Sequence, residues 1–178
     1  MYNKSFFIFP IIITMSLSSC KEQEPRLPVS VSSGIDYTES IELSKKINQR
    51  EERAFRKYID KQDLEFKRSN FGFLYHTYSN SSKLIESKDQ VKFTQIVEGL
   101  DGIVIYKSVT KNLIVDHQEE IIGMHEGLKL MNEGAEAVFI FPSHQAFGFH
   151  GDDNKIKSNT PLIYRVKVIS VINNQINN

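Results

Sequence analysis

The rhythm of hydrophobic and polar positions changes repeatedly along the chain. An apolar run from Phe6 to Leu17, broken by Pro10, Thr14 and Ser16, gives way at Lys21–Gly34 to a stretch with two prolines, three serines and little apolar content. That second stretch has the composition of a tether. From Thr38 to Ile59 the chain is rich in Glu, Lys, Arg and Gln, punctuated by Leu43, Ile47, Ala54, Phe55, Tyr58 and Ile59. Their offsets are helical. The apolar stripe is thin, so the predicted helix either packs along one narrow seam or stands partly free.

Beyond Phe71 the period shortens to that of strands. Phe71–Tyr78 is aromatic-rich, and Val91–Val97 places Val91, Phe93 and Gln95 on one face with Lys92, Thr94 and Ile96 on the other. Asp101-Gly102 marks a tight turn, because Gly accepts the positive φ such turns need. A return strand is expected at Ile103–Tyr106 and a short strand at Leu113–Val115. Gly123–Gly134 reads as a helix with Leu128 and Met131 on one face and Gly134 as its stop. Ala137–Phe141 is a continuous apolar strand ended by Pro142, and Leu162–Ile172 a strand alternating apolar residues with Arg165 and Lys167. The polar stretch Ser143–Thr160 between them is a loop long enough to expect function in it. Mostly antiparallel strands around one short helix, with a helix appended upstream, make an α+β domain. The expected organisation is a signal segment at 1–19, a tether at 20–37, a charged helical segment at 38–63, a globular domain at 70–173 and a tail at 174–178.

Composition narrows the function classes. The 178 residues carry 22 Lys plus Arg against 22 Asp plus Glu, so the chain lacks the basic footprint of a nucleic-acid binder. Hydrophobic residues at 40% and charged residues at 25% lie in the range of folded domains. A single cysteine excludes an internal disulfide and every multi-cysteine metal site.

That cysteine is informative by position. The apolar run before it covers about 12 residues, short of the roughly 20 that cross a bilayer as a helix. Leu17-Ser18-Ser19-Cys20 resembles a bacterial lipobox: an aliphatic residue, two small ones, then the cysteine that is lipidated and becomes the new N-terminus. The resemblance implies a protein held in the bacterial cell envelope by lipid on Cys20, facing the periplasm. The plainer alternative is an ordinary signal peptide with a chance cysteine.

Familiar catalytic motifs are missing. His125-Glu126 begins a zincin-like pattern, but position 129 is Lys, not a second His. His144 and His150 fall in the polar loop with no third ligand near in sequence. Phosphate loops, serine elbows and paired cysteines are absent too, so no metal and no cofactor is expected. Gly123 and Gly127 have the spacing of membrane-helix dimers, but the charges around them favour close helix packing.

Ile121-Ile122-Gly123-Met124-His125-Glu126-Gly127-Leu128, continuing to Gly134, resembles the Val-Ile-x-Gly-Trp-x-x-Gly-Leu-x-x-Met-x-x-Gly signature of FKBP-type peptidyl-prolyl isomerases. Phe141-Pro142-Ser143-His144-Gln145-Ala146-Phe147-Gly148 resembles that family's Ile-Pro-Ser-x-x-Ala-Tyr-Gly, and Pro161–Val166 its closing strand. The resemblance implies a curved antiparallel sheet wrapped around a short helix, with a substrate pocket between them under the long loop. It assigns catalytic positions to Ile121, whose backbone N–H would hold a substrate carbonyl, and to Phe147, Tyr164, Phe93 and Met124. Ile105, Tyr106 and Leu113 would line the pocket. Several depart from the family pattern: Phe93 and Phe147 each replace Tyr, Ile105-Tyr106 replaces Phe-Asp, Met124 replaces the Trp of the pocket floor, Leu113 an aromatic. The expected pocket is apolar, short of a carboxylate and less polar at its rim. For each of these residues plain core packing is the competing reading, most evenly so for Phe93 and Ile105.

Two functions stay open at this point. One is a membrane-tethered isomerase acting on proline-containing polypeptides. The other is an inactive module of the same shape that binds an envelope protein partner. The full layout of lipobox, tether, charged helix and domain is also similar to the gliding-motility-associated lipoproteins of Bacteroidetes.

Overall fold

The computed structural model describes residues 36–78 and 83–173, so residues 1–35, Cys20 and the expected signal and tether among them, lie outside the described residues, as does the tail from 174. Six strands form one fully antiparallel sheet in the order β1-β2-β5-β6-β3-β4. They are β1 (Lys67–Arg68), β2 (Leu74–Tyr78), β3 (Gln90–Gly99), β4 (Val104–Ile114), β5 (Glu136–Phe141) and β6 (Leu162–Ile172). Helix α1 (Asp36–Ile59) precedes the sheet and α2 (Ile122–Leu128) lies between β4 and β5.

The sheet is covered on both faces, by unequal amounts. One face packs against α2 and builds the main core, in which Phe73, Phe93, Met124, Leu128, Phe139, Phe141, Leu162 and Tyr164 are buried. On the other face the second half of α1 contributes Phe55 and Tyr58 to a smaller cluster with Leu74, Val138, Ile140 and Ile163. This explains why β5 reads as an unbroken apolar run: a strand sandwiched between two layers needs apolar side chains on both faces. On β6 the alternation appears where α1 no longer covers it, with Val166 and Val168 buried and Lys167 and Ile169 exposed. Both readings offered for α1 hold in turn along its length. Its second half is seated through Phe55, while Ile41 and Leu43 in the first half are more than half exposed.

Three element boundaries differ from the sequence reading. Helix α2 ends at Leu128 rather than Gly134, because the chain tightens into turns bonded three residues apart, Leu130 N–H to Gly127 O and Met131 N–H to Leu128 O. Leu130 consequently is only partly buried against the core, whereas Met131 is fully buried. The two short strands expected at Ile103–Tyr106 and Leu113–Val115 are the ends of one continuous strand, β4, paired with β3 from Val104 to Ile114. The strand expected from Phe71 begins at Leu74, after a turn in which Gly72 has φ +93° and its N–H donates to Ser69 O.

The helix glycines serve close packing, as their charged neighbours suggested. A Cβ on Gly123 would stand 2.6 Å from the Phe141 ring, and one on Gly127 3.0 Å from the tip of Phe139. Only a residue without a side chain lets α2 approach the sheet this closely. Among the described residues no helix is long and apolar enough to cross a membrane.

Candidate active site

The site is assembled from positions on three strands, the start of α2 and one loop. Phe93 of β3, Leu113 of β4, Tyr164 of β6, Met124 of α2 and Ile121 just before it are all members of the main core, and Ile105, Tyr106 and Phe147 pack against it partly buried. All eight residues singled out in the sequence therefore meet on one face of the sheet. Their exposure sorts them. Phe93 and Met124 are fully enclosed and Leu113 and Tyr164 nearly so, at 3% and 2%. The partly open rim is formed by Ile105, Tyr106 and Phe147, beside Phe149, which at 72% is far more exposed.

The long loop is a shaped structure. It opens with a single 3-10 turn at Ser143–Gln145 and is pinned at its base by Gly148 N–H to Ser143 O and Asn159 N–H to Gly148 O, both 2.8 Å. Ile156 is buried in the main core as its anchor. Gly151 has φ +76°, and a Cβ there would lie 2.3 Å from Ile156 O, so the fold of the loop requires glycine at that point.

The expectation of a missing carboxylate and a less polar rim is corrected by two residues the sequence reading did not select. Asp152, from the loop, accepts a hydrogen bond from the Tyr106 hydroxyl, so a carboxylate is present but reaches the site from the loop rather than from β4. Its other oxygen accepts the N–H groups of Ile156 at 2.7 Å and Asn154 at 3.0 Å. Burial pushes the Asp152 carboxyl up, yet the Tyr106 hydroxyl and these N–H groups outweigh it and hold it below the ordinary carboxylate value. Tyr106 shifts the opposite way, raised mainly by its hydrogen bond to Asp152. The ammonium of Lys155 lies 5.2 Å from the centre of the Tyr106 ring, a second contact between loop and β4.

Glu120 is the second residue. One of its oxygens accepts the Ile121 N–H at 3.1 Å, and the other holds Lys111 at 2.5 Å. The backbone donor that the family resemblance assigns to a substrate carbonyl is thus occupied by a side chain of the neighbouring residue. The Glu120 side chain is only 10% exposed. Tyr164 feels these groups: burial first, then the charges of Glu120 and Asp152, raise its hydroxyl well above the ordinary tyrosine value, so it remains a neutral phenol.

His144 and His150 are exposed. Among the described residues no three His, Cys, Asp or Glu side chains are grouped so as to hold a metal ion.

Residues 81–169 match the family model of the FKBP-type peptidyl-prolyl cis-trans isomerases. The chain is 39% identical over 51 residues to the probable FKBP-type peptidyl-prolyl cis-trans isomerase FkpA of Neisseria meningitidis serogroup B, a match covering 29% of this chain and 19% of that protein. Its fold is similar to the crystal structure of FkpA from Escherichia coli, with a TM-score of 0.59 and 21% identity over 74% of this chain and 63% of that one. It is similar also to a peptidyl-prolyl cis-trans isomerase from Pseudomonas syringae pv. tomato, with a TM-score of 0.61 and 20% identity over 73% of this chain and 96% of that one. The match to the Neisseria protein spans about a fifth of that relative's length. The family match covers half of the sequence, from before β3 to Ile169 within β6, and on it the chain belongs to the FKBP-type peptidyl-prolyl cis-trans isomerase family.

Proposed function

We propose that this protein is a peptidyl-prolyl cis-trans isomerase acting on proline-containing polypeptides in the bacterial envelope, tethered to a membrane by lipid on Cys20. The observation that carries the catalytic reading is the convergence of Phe93, Met124, Tyr164, Ile121 and Phe147 in one apolar cluster, into which the long loop is anchored by Ile156. Rotation about an Xaa-Pro bond faces a barrier of roughly 18–20 kcal/mol because the amide loses its resonance at the twisted geometry. The twisted amide has less charge separation than the planar one, so an apolar enclosure disfavours it less and lowers the barrier. No nucleophile is required. The chain's own contribution is an apolar seat for the proline ring, the Ile121 N–H for the preceding carbonyl and the Tyr164 phenol beside it.

A protease-coupled assay of a proline tetrapeptide with the full chain in detergent tests this reading. Turnover above the uncatalysed rate is expected; background turnover by a folded protein would discard it.

One observation favours the second reading, an inactive module that binds an envelope partner: the Ile121 N–H is already taken by Glu120. In the catalytic reading that contact is a competitor the substrate displaces, and activity is low rather than absent. The envelope location extends to gliding motility, on the similarity of layout to the Bacteroidetes lipoproteins. Cys20→Ser is then expected to move the protein out of the membrane fraction, and deletion of the gene to abolish gliding.

A further inference from the structure

Helix α1 lies outside the stretch that matches the family, yet it is bound to both ends of the loop that frames the pocket. Glu51 is buried, 1% exposed, on a helix whose other charges are largely solvated. One of its oxygens accepts the N–H of Ser143, the first residue of the loop, at 3.1 Å across 92 residues of sequence. An apolar residue could be buried there at less cost, since a carboxylate taken from water loses hydration that a single hydrogen bond does not replace. The second oxygen of Glu51 has no hydrogen-bond partner among the described residues, which increases that cost. At the other end of the loop the neighbouring Arg50 donates to Asn159 O at 3.2 Å. The two ends are themselves joined through Gly148, which donates to Ser143 O and accepts from Asn159 N–H. A pull on Ser143 is therefore transmitted to the base from which Phe147 and Asp152 project.

We propose that Glu51 is a positioning residue for the pocket loop, so that the N-terminal helix sets the shape of the substrate site. Its catalytic consequence rests on the isomerase reading; the positioning itself does not. The chemistry supports a carboxylate in this role. A charged acceptor bonds an N–H about twice as strongly as a neutral one and fixes its direction, and the buried setting shields the bond from water.

The test uses the full chain with Glu51→Ala, Glu51→Gln and Arg50→Ala, and two readouts. Amide hydrogen exchange at Ser143, Gly148 and Asn159 is compared with that of Tyr164 and Val166 in β6. Glu51→Ala is expected to accelerate the loop amides by about tenfold or more relative to β6, the loss of one charged hydrogen bond. Glu51→Gln, which keeps a neutral acceptor oxygen of the same reach, is expected to recover about half of the protection. Arg50→Ala, at an exposed contact, should affect Asn159 alone. In the peptide assay Glu51→Ala should lower kcat/KM chiefly by raising KM, because a displaced loop weakens binding of substrate and transition state alike. Loop exchange unchanged from wild type, exchange rising equally in β6, or Glu51→Gln behaving as Glu51→Ala would overturn the proposal. A loop that loosens as expected in a protein with no turnover even as wild type would sustain the positioning role and reject the isomerase reading.

Discussion

The two faces of the sheet are covered by elements of different kinds. On the α2 face the contacts are ring against ring and ring against glycine: Phe73 meets Phe141 edge-on at 5.2 Å, Phe139 stacks on Phe141 at 5.4 Å, and α2 rests directly on both of the latter. On the α1 face a long, mostly charged helix is attached by Phe55, Tyr58 and a few polar bonds, among them Arg68 to Glu52 at 2.8 Å. The first face cannot yield without losing the domain. The second can loosen by stages, because a helix docked by one seam can lift and rehydrate. What the difference teaches is a division of labour: the α2 face holds the site together, and the α1 face adjusts it.

The sharpest way to break this comparison is to delete one ring from each face. Phe139→Ala should destabilise the domain by about 3–5 kcal/mol, since the cavity lies between α2 and the sheet where nothing can collapse into it. Phe55→Ala should fall near the lower end of that range, about 3 kcal/mol, because α1 can lift instead of enclosing a void. Denaturant melts followed by circular dichroism would check both. Equal losses in one cooperative transition would remove the distinction.

Overpacking probes the first face from the other side. Gly123→Ala places a methyl against the Phe141 ring and should cost about 1–3 kcal/mol, as added core methylenes do. The same melts measure it, and a neutral result would mean that α2 is not held as tightly as the 2.6 Å approach requires.

The polar rim should respond to pH. The Asp152 carboxyl is held below its ordinary value in the fold, so it contributes stability that is present above the unfolded aspartate value of 3.8 and is lost as pH falls through the folded one. The Tyr106 hydroxyl is raised above its ordinary value of 10.0, so its contribution is present below that pH and is lost as pH rises through the folded value. Tyr106→Phe removes the bond between them and should make the melting temperature less sensitive to pH at both edges of the range. A profile identical to wild type would show that loop and β4 are not joined through this pair.

How much of this was legible in the sequence depended on whether neighbours in the chain carried the signal. Strands β3, β5 and β6 were readable because alternation or an unbroken apolar run records which faces are covered. Strand β4 was split in the reading because Lys107–Asn112 lies at an edge of the sheet and has little apolar alternation; its pairing with β3 supplies what its own residues do not show. Helix α2 was drawn too long because Leu130 and Met131 keep helical spacing after the chain has turned. The eight site residues came from motif resemblance, and the fold brings them together, whereas Asp152, Glu120 and Glu51 were missed. Asp152 meets Tyr106 across 46 residues and Glu51 meets Ser143 across 92, and a carboxylate in a polar loop or a charged helix looks solvated until its partner is seen. Glu120 stands one residue before Ile121, but its side chain folding back onto that N–H is a matter of conformation alone.

The smallest predicted effect is also the most pointed, because it concerns one hydrogen bond at the reacting end of the pocket. If the α2 face is an isomerase site, Glu120→Ala frees the Ile121 N–H for the substrate carbonyl and should raise kcat/KM by about two- to tenfold, the worth of one exchanged hydrogen bond. The decisive measurement is therefore the isomerisation rate of one proline tetrapeptide with wild type and Glu120→Ala side by side, both shown to be folded. The account predicts wild-type turnover above background and a faster variant; neither protein exceeding the uncatalysed rate would contradict it.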